Sequence, residues 1–334
     1  MKKAISALAV AAALGASSAH AADFRVNDDT LFSVYGSIEF IYYSQEQATD
    51  GGDTESRSEF ADNGSTIGFA GEHTWDNGLT GYFKAEFEHN ADEEKGAGGI
   101  NDGDKAYIGV KGNFGNVRAG SWDNIYNDAI QDPVDPFEAF SPSMSDISGE
   151  GDTIAYFSPK MGGFSFQVAS QIRGDGDTPT SKQPLTDESA FQVVGMYEVN
   201  TLTFAVGYDD RGIVSQTGAA GGDPAEDGVF GASVTWDLAP LTLAARAEQQ
   251  GETVEDDEVG YYSLNAAYDY GMGTLTATVT EVDPDADDED SRTEFNLLGT
   301  YNVGSNMYVY AEAGWYDKEN DEDDAMGVGV VYEF

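Results

Sequence analysis

Ala325-Met326-Gly327-Val328-Gly329-Val330-Val331-Tyr332-Glu333-Phe334 is the stretch whose alternation decides the fold. Met326, Val328, Val330, Tyr332 and Phe334 share one face, as the two-residue period of a strand requires. In a soluble protein such an apolar strand is an edge that invites pairing with other chains. In a closed membrane barrel it pairs with the first strand and turns its apolar side to lipid. The pattern therefore predicts that the upstream residues supply the remaining strands of one closure.

Upstream, the same alternation recurs. Residues 31–43 set Phe32, Val34, Gly36, Ile38, Phe40 and Tyr42 on one face and Ser33, Tyr35, Ser37 and Glu39 on the other. Residues 65–75 and 79–90 flank Asp76-Asn77-Gly78, a hairpin turn signal. Further strands are expected at 105–111 and 116–122, 153–158 and 163–172, 189–199 and 202–208, and 229–237 and 241–248. Residues 259–270 and 274–282, 293–303 and 307–316 continue the series, and the opening stretch brings the count to sixteen. An even count returns both ends to one side of a membrane. Tight turns such as Asn200-Thr201 alternate with longer polar connections, so the former read as periplasmic and the latter as extracellular. Tyr42, Trp75, Trp122, Trp236, Trp315 and Tyr332 near strand ends fit interfacial girdles better than a soluble β-sandwich. The expected fold is all-β, a 16-stranded antiparallel transmembrane β-barrel.

Lys2 and Lys3, an apolar run and Ala19-His20-Ala21 have the layout of a cleavable secretory signal over residues 1–21, leaving a barrel domain over 22–334. The apolar run is too short to span a bilayer as a helix. With 16 basic and 61 acidic residues the formal net charge is −45, which excludes nucleic acid as a partner by repulsion. There is no cysteine, so disulfides, thiolate metal sites and a cysteine nucleophile drop out. The histidines form no constellation with a nucleophile and an orienting acid, so no enzyme activity and no cofactor are expected. Acidic runs at Asp283 to Asp290 and Asp317 to Asp324 could offer oxygen ligands to Ca²⁺ or Mg²⁺. They lack EF-hand spacing and read better as solvated outer loops, so no metal site is expected.

Several stretches resemble the general, non-specific porins of Gram-negative outer membranes. They are Ile67-Gly68-Phe69-Ala70-Gly71-Glu72, Asn77-Gly78-Leu79-Thr80-Gly81-Tyr82, Thr153-Ile154-Ala155-Tyr156-Phe157-Ser158-Pro159 followed by Gly163-Phe164-Ser165, and Phe334. The resemblance implies a homotrimeric, water-filled outer-membrane channel for passive diffusion of small hydrophilic solutes and ions, with the third extracellular loop folded inward. It further implies contact with outer-membrane lipid and lipopolysaccharide, and a C-terminal Phe334 read as a signal by the barrel assembly machinery.

The longest connection, 122–152, stands where that inward loop belongs. It carries Asp123, Asp128, Asp132, Asp135 and Glu138 with no Lys or Arg, and Ile125, Tyr126, Ile130, Phe137 and Phe140 could pin it to the inner wall. The alternative is a solvated external loop. Strand parity turns Lys84, Lys105, Lys111, Arg118 and Arg246 inward as basic pore-wall candidates, while Thr66 stands where relatives often place an arginine. Cation preference follows as the expectation. A solute-selective channel with an internal binding site and a structural or adhesive barrel are the competing readings.

Overall fold

Because successive side chains of a strand point to opposite faces, a closed sheet separates an outer apolar surface from a polar interior. In the computed structural model the strands hydrogen-bond into one antiparallel sheet that closes on itself. The structure describes residues 22–49, 54–93, 100–172, 189–211, 228–251, 258–285, 290–318 and 322–334. The expected leader, residues 1–21, lies outside them, as do parts of both acidic runs, residues 286–289 and 319–321.

The order is β1 (Ala22–Asn27), β2 (Thr30–Ala48), β3 (Thr54–Asp62), β4 (Thr66–Thr74), β5 (Thr80–His89) and β6 (Ile100–Gly112). Then come β7 (Gly115–Ser121), β8 (Thr153–Phe157), β9 (Phe164–Ile172), β10 (Ser189–Val199), β11 (Leu202–Asp209) and β12 (Val229–Asp237). The set ends with β13 (Leu241–Gln250), β14 (Val259–Asp269), β15 (Thr274–Pro284), β16 (Arg292–Asn302), β17 (Met307–Trp315) and β18 (Ala325–Glu333).

These eighteen described segments form sixteen barrel strands. The long strand β2 explains the difference. On one side it pairs first with β4 (Ser37 opposite Thr66) and then with β3 (Phe40 opposite Asp62), so β3 and β4 are one strand interrupted at Asn63-Gly64-Ser65. On its other side it pairs with β18 (Ser37 opposite Glu333) and then β1 (Val34 opposite Ala22), which together fill the last place.

The alternation did not reveal β1 or β3. Both are polar or exposed on nearly every residue, so neither shows the one-sided apolar pattern that marks a lipid-facing strand. Elsewhere the faces follow parity: Ile108, Val206, Phe230 and Leu264 are exposed outside, whereas Lys84, Glu86, Arg118, Arg246, Glu294 and Glu312 are buried toward the interior. One break in parity matters for the lumen. Ala85 pairs with Ala106 but Phe87 with Gly103, so Asp104 and Lys105 share the place opposite Glu86 in a bulge. A bulge of this kind re-aims a side chain that strict alternation would turn away.

Candidate functional site

Between β7 and β8 the chain enters the barrel and runs along its inner wall. The entry contains a π-helical turn, Asn127–Gln131, followed by a 3-10 turn, Asp132–Val134. Tyr126, Ile130 and Val134 recur every four residues on one side of this coil and are fully buried, while Asp128 and Asp132, offset by two, are exposed to the lumen. Helical periodicity thus sorts the loop into a greasy face on the wall and an acidic face on the water.

Tyr126 and Ile130 press against β11 and β12 at two glycines. A Cβ on Gly231 would stand 2.1 Å from the Tyr126 hydroxyl and 2.6 Å from Ile130, and one on Gly207 would stand 2.9 Å from the Tyr126 ring. Gly231→Ala is therefore expected to lift this end of the loop. The cost should be about 1–3 kcal/mol of barrel stability, as for other overpacked sites, read by denaturant unfolding of the refolded protein, with altered single-channel conductance.

The remainder of the loop is held by hydrogen bonds to six strands. Ser233 on β12 donates to Ala129 O (2.6 Å), Gln131 donates to Glu248 on β13 (2.9 Å), and Thr278 on β15 donates to Val134 O (2.9 Å). Glu312 on β17 accepts the backbone N–H groups of Glu138 (2.9 Å), Ala139 (3.1 Å) and Phe140. Glu294 on β16 accepts from Ser143 N (2.8 Å) and Oγ (2.7 Å). Asp209 on β11 accepts from Ser148 N (3.1 Å) and Oγ (2.6 Å) and from Asn124 (2.9 Å), tying both limbs of the loop together. Asp209, Glu248, Glu294 and Glu312 were not foreseen from the sequence: parity turns them inward, but nothing local says that a distant loop meets them.

The acidic candidates have different surroundings. Asp128 and Asp132 face open lumen. Asp123 pairs with Lys105 at 2.6 Å, and Glu138 accepts from the Tyr308 hydroxyl at 2.9 Å. Asp135 is half-buried within the loop. Desolvation deep in the barrel, with Asp132 and Asp123 nearby, holds the Asp128 carboxyl above its ordinary range.

All five basic candidates point inward, and none is an isolated cation. Lys84 pairs with Glu86 at 3.1 Å and Lys111 with Glu72 at 2.9 Å. The Arg118 guanidinium lies over the rings of Tyr107, Phe157 and Trp122 at 4.4, 4.8 and 5.2 Å. Arg246 lies behind the loop rather than across from it: it pairs with Glu248 at 3.2 Å and donates to Ser143 O at 2.7 Å, so it fastens the loop. Thr66 offers only a hydroxyl, 3.3 Å from that of Ser37. Among the described residues, Asp104, Asp123 and Glu150 bring carboxylate oxygens within 4.8 Å of one another, and Lys105 closes on Asp123 there.

The family model for Gram-negative porins matches residues 7–332. A monosaccharide porin from a Halomonas species and the major outer membrane protein of Halomonas elongata are each 34% identical over 373 aligned positions, covering 100% of this chain and of each relative. Among solved structures, the anion-selective porin from Comamonas acidovorans superposes with a TM-score of 0.73 at 16% identity, over 92% of this chain and 100% of that one. The Salmonella typhi OmpF complex with daunomycin gives 0.70 at 19% identity, over 94% of this chain and 100% of that one. At such identities these two speak for the fold alone.

Proposed function

This chain belongs to the Gram-negative porins, channel proteins of the bacterial outer membrane, and we propose that it is a diffusion channel for small hydrophilic solutes that prefers cations. One observation carries the preference: Asp128 and Asp132 face the lumen from the loop, whereas Lys84, Lys105 and Lys111 on the facing wall are each matched by a carboxylate. Carboxylates at a constriction favour cations, and low-dielectric walls focus their field. The test is the zero-current potential of the channel across a salt gradient, whose sign reports the favoured ion. An anion-selective result would overturn the preference while leaving the channel reading intact. A second reading, a channel selective for uncharged solutes, draws support from the Halomonas relative named as a monosaccharide porin.

The rest of the reading is a leader over residues 1–21, a homotrimer in outer-membrane lipid and lipopolysaccharide, and assembly-machinery recognition of Phe334. The Phe334 backbone exchanges hydrogen bonds with Gly36 at 2.9 and 3.0 Å. Deleting Phe334 removes that one pair, about 1–3 kcal/mol, so refolding in detergent should change little. Insertion in cells should fall several-fold, as measured by the amount of heat-modifiable barrel in outer membranes. Wild-type insertion of the deletion variant would remove the signal role.

A further inference from the structure

Above the loop, on the side of the long connections, the lumen widens into a side cavity of about 610 Å³ between β2, the interruption after β3 and the end of β17. That volume is within the roughly 300–1,000 Å³ of small-molecule sites. We propose that this cavity is a binding subsite for an uncharged polyhydroxylated solute of monosaccharide size, met before the constriction. The proposal rests on the reading of the chain as an open channel for small hydrophilic solutes.

The chemistry of the lining points to that class. Tyr43 and Phe140 meet edge to face, with ring centroids 6.1 Å apart and planes at 63°, and make an aromatic corner at the base of the cavity. Amide, ammonium, carboxylate and hydroxyl groups line the rest of it. The Gln45 amide donates to Asp323 at 3.3 Å, and Lys318 pairs with the same carboxylate at 2.5 Å. The Asn63 amide donates to Glu138 O and to the Tyr310 hydroxyl, each at 3.1 Å. A ligand that carries adjacent hydroxyls on one side and a C–H face on the other matches such a lining, since each hydroxyl both donates and accepts.

Two alternatives fit less well. A bare cation needs converging oxygens, but Asp62, Glu138 and Asp323 are engaged separately, by Ser65 and Gly64, by Tyr308, and by Lys318 and Gln45. An anionic sugar would face those three carboxylates against the single ammonium of Lys318.

The experiment uses the full-length channel in planar bilayers and in liposomes, with D-glucose and D-glucuronate as probes. Glucose should lower the ion current saturably. Tyr43→Ala and Gln45→Ala should each raise the half-saturating concentration about two- to tenfold, the worth of one ring contact or hydrogen bond, with the sugar-free conductance kept. Glucuronate should block more weakly than glucose. Block that is unchanged in both variants, or equal block by glucuronate, would overturn the subsite. Glucose-driven liposome swelling without saturable block would also overturn it, leaving the channel reading in place. Ion currents with no swelling in glucose would instead defeat the reading of a channel open to such solutes, and the subsite with it.

Discussion

In a salt gradient, Asp128→Asn combined with Asp132→Asn is expected to remove more than half of the cation-selective zero-current potential. Two unit charges about 4 Å apart interact by about 1 kcal/mol in bulk water and more where the effective dielectric constant is lower. Each lumen-facing carboxylate therefore raises the local cation occupancy roughly fivefold and lowers that of the anion by a similar factor. Adding Asp135→Asn should change less, because that carboxylate is half-buried in the loop where Asp128 and Asp132 are exposed. Asp283→Asn with Asp285→Asn and Asp290→Asn, exposed carboxylates at an outer connection, should leave most of the potential, since charges beyond about 8 Å are screened at physiological salt. Equal losses in the inner and outer variants would show that the loop does not set selectivity. Acidification adds a check with a definite sign. A carboxyl whose proton affinity is raised takes up its proton at a higher pH, so the wild-type preference should begin to weaken above the ordinary carboxylate range, and Asp128→Asn should diminish that early step, to which Asp132, raised by desolvation as well, also contributes.

Glu312→Ala is expected to free the loop at Glu138, Ala139 and Phe140, with larger, noisier conductance steps and weaker ion discrimination. Its carboxylate accepts all three of these consecutive N–H groups, and its side chain is buried against them. Hydrogen bonds to a charged group contribute roughly 1.5–3 kcal/mol each, and stranding buried donors costs more than the bonds alone. The net loss should be about 3–5 kcal/mol, measurable as a lower unfolding midpoint in detergent. Glu312→Gln, which keeps one acceptor oxygen, should lie between. Wild-type conductance and selectivity in Glu312→Ala would mean that the other anchors suffice.

The barrel was legible in the sequence because its signal is local. Two-residue alternation marks each one-sidedly apolar strand and its faces without knowledge of the rest of the chain. The two segments it did not disclose, β1 and β3, lack the one-sided apolar pattern on which the reading depends. At the site the limit lies elsewhere. Parity gave the face of Lys84 and, two residues along the same strand, of its partner Glu86; it gave the face of Lys105 and Lys111 but not their partners, Asp123 in the loop and Glu72 on β4. Nor could it foresee the bulge that brings Asp104 inward beside Lys105. The burial of Arg246 depends on Ser143, about a hundred residues upstream, a separation that no periodicity crosses.

The seam where β18 meets β2 has a consequence in time. It joins Ser37 to Glu333 and Gln45 to Ala325, among the most widely separated partners in the described chain. The entropy of closing a long loop rises only logarithmically with its length, so such a pairing is not weak once made. It is slow to find, because non-local contacts delay the folding transition. Until it forms, both margins of the sheet present unpaired N–H and C=O groups, which hydrocarbon cannot satisfy. The barrel should therefore seal in one late step, as β18 arrives on β2 beside the local β1–β2 hairpin, and a chain halted before that step would be an open sheet poised to pair with whatever strand it meets.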